Sequence, residues 1–100
     1  MRMRIDAERS EDVDRVRLRA RFALGCIGDA AVGVRFQVRR EDGDGGGCLF
    51  RVRVCLQLRN GARVDVQECQ SDLELAVDRA LQRSLRTVRR RRERWLPGVI

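Results

Sequence analysis

The residues of this chain that are best suited to chemistry are arginines that recur along one predicted helix. Their intervals are four, three, four and four residues: Arg79, Arg83, Arg86, Arg90 and Arg94. At 3.6 residues per turn, this spacing places all five side chains along one side of a helix. A guanidinium group donates hydrogen bonds in a planar fork that matches phosphate oxygens, and it also stacks on bases. We therefore predict that these five residues, called the arginine ridge below, contact an anionic partner, with nucleic acid favoured over an acidic protein.

The helix that carries the arginine ridge is predicted over residues 71–95, a stretch without Gly or Pro. Ser71 is placed to cap the first free amides, and Glu74 is placed to reach back to the backbone of Ser71. The other side of the helix forms a stripe suited to burial: Leu73, Val77, Ala80, Leu81, Ser84, Leu85 and Val88. Because Arg91 and Arg92 take the next core-side positions, the last two turns are predicted to project beyond the surface on which the helix packs.

The composition indicates one domain with a core and argues against an enzyme. The chain has 100 residues, 43% of them hydrophobic, and a net charge of +7 with 22 cations, all of them arginine. A genome rich in G and C would also favour arginine over lysine, but it does not explain why the arginines cluster. There is no histidine, no Ser or Cys beside a plausible base, and the main acidic cluster, at 41–44, lies in a glycine-rich loop. We therefore predict no enzymatic activity and no small-molecule substrate.

The cysteines are predicted to be free thiols. They are Cys26, Cys48, Cys55 and Cys69, and they form no CxxC pair. Without histidine, the alternative of a four-cysteine metal site would have to be assembled from scattered positions, so no metal and no cofactor are expected. Cys48 is predicted on the apolar side of its strand, with Cys55 and Cys69 on the opposite face. The chain has no apolar run long enough to span a bilayer and no signal-peptide pattern, which predicts a cytoplasmic protein.

Alternation of apolar and polar residues predicts four strands, each with one buried face. Residues 1–6 form the first, and the apolar positions of the others are Val32, Val34, Phe36, Val38, then Phe50, Val52, Val54, Leu56, Leu58, then Ala62, Val64, Val66. The Asn-Gly pair at 60–61 predicts a hairpin, and residues 40–47 predict a solvated loop. A first helix is predicted over residues 11–27, capped by Ser10. The predicted fold is thus α+β, in the order β-α-β-β-β-α, with two helices packed on one face of a four-stranded sheet.

Further arginines lie outside the arginine ridge. Arg17 and Arg21 point away from the buried face of the first helix. The uncovered face of the sheet carries another group: Arg35, Arg39, Arg51, Arg53 and Arg63. For each of these, a binding role and an ordinary solvated position with Asp65 or Glu68 as a cross-strand partner both stay open.

The run RVRVCLQLRNGARVDVQECQSDLELAVDRAL, at residues 51–81, resembles the ribosome hibernation promoting factor and ribosome-associated inhibitor family. Its most specific part is the strand, Asn-Gly turn and strand that lead to Asp72 and Leu73, followed by Ala-Val-Asp at 76–78. The element order, the length and the basic last helix also agree with the family. The N-terminal half agrees more weakly, through the first strand and the segment RVRLRARFALG.

The resemblance implies a fold similar to a double-stranded-RNA-binding domain with an extra N-terminal strand. It also implies binding in the small-subunit channel where messenger and transfer RNA would lie, which blocks translation and protects stalled ribosomes. The positions that match the family's RNA contacts are Arg79, Arg83, Arg86, Arg89, Arg90, Arg17 and Arg21. Changing Arg83, Arg86 and Arg90 to Glu is expected to abolish ribosome association and leave the fold intact. Two departures are expected to weaken or reposition RNA binding, since Glu74 replaces the family's Tyr and the loop at 40–47 is short and acidic.

Residues 1–95 are predicted to form a single ribosome-binding domain, monomeric off the ribosome, and residues 96–100 a short tail. Many relatives carry a second domain that pairs ribosomes, and the five tail residues are too few for one, so this chain is expected to silence single ribosomes. Trp95 either folds back onto the domain, which is favoured, or stacks on an RNA base. The alternative function is a protein-interaction or self-associating module of the same fold that has lost ribosome binding. Such a module would use Leu18 and Phe22, or a free edge of the sheet.

Overall fold

Six elements form the fold. The computed structural model describes residues 1–25, 30–42 and 47–95, without the side chains of Cys48 and residues 92–95. The elements are β1 (Arg2–Asp6), α1 (Ser10–Leu24), β2 (Ala31–Asp42), β3 (Cys48–Leu58), β4 (Arg63–Gln70) and α2 (Leu73–Trp95). The predicted α+β class and the order β-α-β-β-β-α are confirmed.

The four strands form one mixed sheet in sequence order, β1-β2-β3-β4. β2, β3 and β4 are antiparallel neighbours, as their alternation predicted. β1 pairs with β2 in parallel, because α1 carries the chain back across the sheet between them. The edges of the sheet are therefore β1 and β4.

The core lies between one face of the sheet and both helices. Its buried members from the sheet are Ala31, Val34, Phe36, Val38, Val52, Val54, Leu56, Leu58, Val64 and Val66, and those from the helices are Val16, Ala20, Leu24, Leu73, Ala76, Val77, Ala80, Leu81 and Val88. α2 packs on β3 and β4, while α1 packs on β1 and on α2. Burial of apolar side chains on this face is the main stabilising term, and it leaves the other face of the sheet open.

The chain reverses between β3 and β4 at Arg59, Asn60 and Gly61, and Ala62 leads into β4. Gly61 donates its backbone N–H to the Leu58 carbonyl at 3.0 Å, and Leu58 donates to Ala62 at 2.9 Å. Gly61 has a φ of 91°, a left-handed conformation that glycine adopts without strain. The predicted hairpin is confirmed, in the form in which a turn is followed by a left-handed glycine.

Both helices begin differently from the prediction. In α2, the Asp72 carboxylate accepts a hydrogen bond from the Glu74 N–H at 3.0 Å, so the cap is Asp72 and not Ser71. In α1, Ser10 is already helical, and Arg9 occupies the capping position without a side-chain hydrogen bond. α1 ends at Leu24, and residues 26–27, which were predicted to continue it, lie outside the described residues.

β2 is longer and less regular than predicted. Its register shifts between Ala31 and Gly33, so that Val32, predicted on the buried face, is 42% exposed. At its other end the strand runs to Asp42, and it therefore includes residues 40–42 of the predicted loop. Residues 43–46 of that loop lie outside the described residues.

An ion pair between α1 and β2 explains this extension. The Asp12 carboxylate, 1% exposed, accepts from the Arg40 guanidinium at 3.1 Å. The Arg40 guanidinium carbon also lies 4.8 Å from the centre of the Phe50 ring, its neighbour on β3. Arg15 approaches the same carboxylate at 3.9 Å. Arg40 thus fixes the start of α1 against the far end of the sheet.

We predict that the two partners of this pair are unequal in their effect on stability. Arg40→Met leaves a buried carboxylate with only the longer Arg15 contact, and should lower the free energy of unfolding by about 3 kcal/mol. Asp12→Asn keeps an acceptor for Arg40 and should cost about 1–2 kcal/mol. Urea unfolding followed by circular dichroism measures both. The matched control is Arg39→Met, which breaks an exposed pair and should cost less than about 1 kcal/mol; equal losses for Arg40→Met and Arg39→Met would refute the prediction.

A second set of ion pairs joins the two helices. Glu74 accepts from Arg19 at 2.8 Å and from Arg15 at 3.2 Å, and Arg19 also lies 3.4 Å from Asp78. Hydrogen bonds from Arg19 and then Arg15 hold the pKa of Glu74 below its usual value. Glu74 therefore does not reach back to Ser71 as predicted, because it bridges α2 to α1.

The lowered pKa of Glu74 predicts how stability depends on pH. Its contribution is fully present above the unfolded pKa of a glutamate, about 4.3, and is lost as the pH falls through the lower folded value. The difference in unfolding free energy between the wild type and Glu74→Gln should therefore be largest near neutral pH and shrink towards pH 3. Glu11→Gln, which removes an acid paired only with exposed Arg9, is the control. A wild-type advantage over Glu74→Gln that stayed constant down to pH 3 would contradict this account.

Candidate nucleic-acid interface

The arginines predicted on α2 lie on the outer flank of the helix, between solvent and β4. Five of them are exposed: Arg79, Arg83, Arg86, Arg89 and Arg90. The stripe of buried residues from Leu73 to Val88 faces the core, as predicted, with Leu85 half-buried at its margin. Glu74 and Asp78 face α1. Arg79, Arg83, Arg86 and Arg90 lie about 80–140° around the axis from Asp78, away from α1, whereas Arg89 lies only about 20° from Asp78. The side chain of Arg94, the last member of the arginine ridge, lies outside the described residues.

Arg83 is not a free member of the arginine ridge. Its Nη1 donates to the Gln67 carbonyl at 2.9 Å and to the Glu68 carboxylate at 2.6 Å, and its side chain is 53% exposed. Glu68 has the same parity as the buried residues of β4, so it faces α2 and not the open side of the sheet. Arg83 lies away from the buried stripe, as predicted, and its guanidinium also binds β4. The assignment of Glu68 as a partner for arginines of the open face was wrong.

Arg91 keeps α2 in contact with the sheet for longer than predicted. This residue is half-buried, and its Nη1 donates to the Arg63 carbonyl at the start of β4, at 2.8 Å. The helix therefore passes the sheet at Arg91, after which about one turn remains to Trp95. The predicted projection of two turns is too long. The side chains of Arg92 and Trp95 lie outside the described residues.

Four α2 arginines have no acidic partner in the described part of the chain: Arg79, Arg86, Arg89 and Arg90. From Arg79 to Arg90 they extend over about 16 Å of helix, at 1.5 Å per residue. Arg89 lies about 100° around the axis from Arg90, towards the side that carries Asp78, so it extends the exposed positive charge beyond the outer flank. Such a row of solvated guanidinium groups presents donors for several phosphates in succession.

Arg17 and Arg21 are exposed but belong to a different surface. Arg15 and Arg19, which lie two residues before Arg17 and Arg21, contact acids of α2. Two residues correspond to about 200° around the helix axis, so Arg17 and Arg21 lie on the flank of α1 turned away from α2. The structure therefore does not bring all the predicted site residues into one patch. It places them on two flanks of the helical layer, with the neutralised pairs of Glu74 between.

The two departures from the family pattern have structural explanations here. Glu74 is bound by two arginines of α1, so its charge is largely compensated in place and does not face the α2 flank. Of the acidic loop, Glu41 pairs with Arg51 at 3.0 Å across β2 and β3. In the described part of the chain, neither acid faces the arginines of the outer α2 flank.

The described cysteines are consistent with isolated thiols. Cys55 is half-buried on the open face of the sheet and Cys69 is exposed, each free and on the predicted face. Cys26 and the side chain of Cys48 lie outside the described residues.

Among the described residues no group of His, Cys, Asp or Glu is placed to hold a metal ion. None of the described helices is long and apolar enough to cross a membrane.

Two solved structures share this architecture. A ribosomal subunit interface protein from Coxiella burnetii matches with a TM-score of 0.70 and 11% sequence identity, over 92% of this chain and 96% of that one. The N-terminal domain of Thermus thermophilus Protein Y matches with a TM-score of 0.61 and 21% identity, over 90% and 98% of the two chains. No protein-family model matches the chain, and no curated protein does. At these identities the comparison is one of fold, and this chain has the fold of those two proteins over most of its length.

Proposed function

We propose that this chain is a ribosome-associated hibernation factor that inhibits translation by binding small-subunit ribosomal RNA in the channel for messenger and transfer RNA. It acts in the cytoplasm, as a binding protein and not as an enzyme. The shared fold with a ribosomal subunit interface protein and with Protein Y supports a ribosomal partner. The net charge of +7 supports a polyanionic one.

The observation that carries this proposal is the outer flank of α2. Arg79, Arg86 and Arg90 are exposed there, Arg89 is exposed next to them, and none of the four has an acidic partner among the described residues. Elsewhere in the fold, arginines that join two elements are paired with an acid, as Arg19 is with Glu74 and Arg40 is with Asp12. Since this flank is left uncompensated, RNA phosphates are the natural counter-charge, and their binding releases condensed cations.

Arg17 and Arg21 give the domain a second RNA contact on the other flank of the helical layer. A domain inserted into a channel lined by RNA meets phosphates on more than one side. Basic residues on opposite flanks suit such a site better than a single flat patch would. The two flanks would then contact different RNA segments, and each should contribute separately to affinity.

A specific observation also favours the alternative of a self-associating module. Leu18 and Phe22 are 73% and 89% exposed, one turn apart on the outer side of α1. Apolar groups of this size on a surface favour association with another protein. The two functions differ in their response to salt, because phosphate binding weakens steeply with added salt and apolar association does not.

We expect that the triple substitution Arg79→Gln, Arg86→Gln, Arg90→Gln will abolish most ribosome binding without affecting folding. These side chains form no hydrogen bond or ion pair with the described residues, whereas Arg83 is spared because it holds α2 to β4. Co-sedimentation with purified small subunits over a salt series is the measurement. The slope of log affinity against log salt should fall by about 2 as three phosphate contacts disappear.

The control variant also loses three positive charges, but at surface arginines that are paired with an acid: Arg9→Gln, Arg39→Gln and Arg51→Gln. It should bind small subunits nearly as well as the wild type. If both triple variants weakened equally, net charge alone would account for binding. If neither weakened, and Leu18→Ser with Phe22→Ser dissociated a salt-resistant dimer instead, the self-associating function would replace the one proposed.

A further inference from the structure

Four arginines without an acidic partner converge at one end of the open sheet face. They are Arg2 and Arg4 of β1, Arg35 of β2 and Arg63 of β4, all exposed. The register places them in two adjacent rows across the sheet, one running Arg2, Gly33, Gln57, Arg63 and the next running Arg4, Arg35, Cys55, Asp65. None of the four forms an ion pair with a described residue. Arg2 and Arg4 were not recognised from the sequence, although they alternate with Met3 and Ile5.

The other end of the same face is neutralised. Arg39 pairs with Asp6 at 3.0 Å and Arg51 with Glu41 at 3.0 Å. Asp65, at the end of the second row, pairs with Arg53 at 3.6 Å. The open face therefore does not carry its charge evenly. Its acids compensate the arginines at one end, and the positive charge that remains is concentrated at the other.

The uncompensated end is shaped as a groove. Its lining includes the four arginines with Gly33 and Gln57, and Cys55 lies at its floor. Gly33 contributes no side chain, and the Gln57 amide lies over it, with its Oε1 3.5 Å from where a Cβ on Gly33 would stand. Arg2 and Arg63 are at the two ends of this row. A row of four strands spans about 14 Å at 4.8 Å per strand. This is longer than one phosphate group and suits a chain of phosphates.

The arrangement is electrostatically unfavourable in the free protein. Arg4 and Arg35 are direct cross-strand neighbours on the same face, and like charges in that position repel. No described acid lies between them to offset the repulsion. A polyanion bound across the groove would offset the repulsion between Arg4 and Arg35, so binding of the polyanion should stabilise the folded protein.

We propose that this groove binds the phosphodiester backbone of a single-stranded RNA, as an RNA site separate from both flanks of the helical layer. The groove and these flanks lie on opposite sides of the sheet, since both helices cover the other face. The described strands place no aromatic side chain on the open face, so bases have no stacking platform and the groove contacts the backbone regardless of sequence. The Gln57 amide, between the arginines, offers a donor and an acceptor to ribose hydroxyls, which a chain of bare phosphates would not use.

The test measures binding of a labelled oligouridine in a protein whose α2 flank has been disabled by Arg79→Gln, Arg86→Gln and Arg90→Gln. In that background, Arg4→Gln, Arg35→Gln and Arg63→Gln should weaken binding at least about tenfold and reduce the salt slope by about 2. The matched control, Arg9→Gln, Arg39→Gln and Arg51→Gln, removes as many charges from arginines that are paired away from the groove. It should bind like the parent protein. Equal losses in the two variants would overturn the proposal, and so would no loss in either.

The thiols report directly where the RNA lies. Cys55 is on the floor of the groove, whereas Cys69 is exposed on the same face beside Arg51, at the neutralised end. Burial raises the pKa of the Cys55 thiol, so alkylation is followed at about pH 9 by mass spectrometry of each peptide. Saturating oligouridine should slow alkylation of Cys55 several-fold and leave Cys69 unchanged. Equal slowing of both thiols, or protection by inorganic polyphosphate but not by RNA, would contradict an RNA site here. Neither readout uses ribosomes, so failure of this site is distinguishable from failure of the proposed function.

Discussion

The whole structure depends on burial of one apolar sheet face beneath two helices. The apolar side chains on that face, such as Val34 and Val66, are removed from water by packing against α1 and α2. Once both helices are on one side, every arginine must find a place at the margin of the core or outside it. The fold therefore divides its charge among three places: the seam between the helices, their outer flanks, and the open face of the sheet.

The chain has fewer acids than arginines, 15 against 22, and where the acids lie decides which arginines are available to a partner. Asp12 holds Arg40, Glu74 holds Arg15 and Arg19, and Glu68 holds Arg83. Each of these pairs joins two different elements, so those arginines serve the fold. Two groups of arginines pair with no acid among the described residues. They are Arg79, Arg86 and Arg90 on the outer α2 flank, and Arg2, Arg4, Arg35 and Arg63 at one end of the open face. The positive potential of the domain is concentrated there because the acids are concentrated elsewhere.

Much of this could be predicted from the sequence because it follows from periodicity. Alternation fixed which residues of β3 and β4 are buried, and the stripe from Leu73 to Val88 fixed the inward side of α2. The errors arose where a specific tertiary contact overrode a local rule. Asp72 caps α2 in preference to Ser71, and the partner of Glu74 is α1 and not its own helix start.

The candidate site was less predictable than the fold, because exposure on a helical wheel does not reveal what a long side chain reaches. Arg83 lies on the predicted side, yet it contacts Glu68, and only the parity of Glu68 with Val64 and Val66 could have indicated this. Arg40 was assigned to a loop because a glycine-rich run follows it, whereas its pairing with Asp12 requires the strand. Arg17 and Arg21 are basic like the α2 arginines but lie on a different surface, because the side of α1 that faces α2 carries Arg15 and Arg19 instead.

The central claim, that the domain occupies the RNA channel of the small subunit with the outer flank of α2 against phosphates, is tested most directly by electron cryomicroscopy of the protein bound to vacant small subunits. The account predicts density for the domain in the path of messenger and transfer RNA. In that density, the arginines at 79, 86 and 90 should lie within hydrogen-bond distance of ribosomal RNA phosphates. Density on the outer surface of the subunit, or density in the channel with this flank of α2 facing solvent, would contradict it.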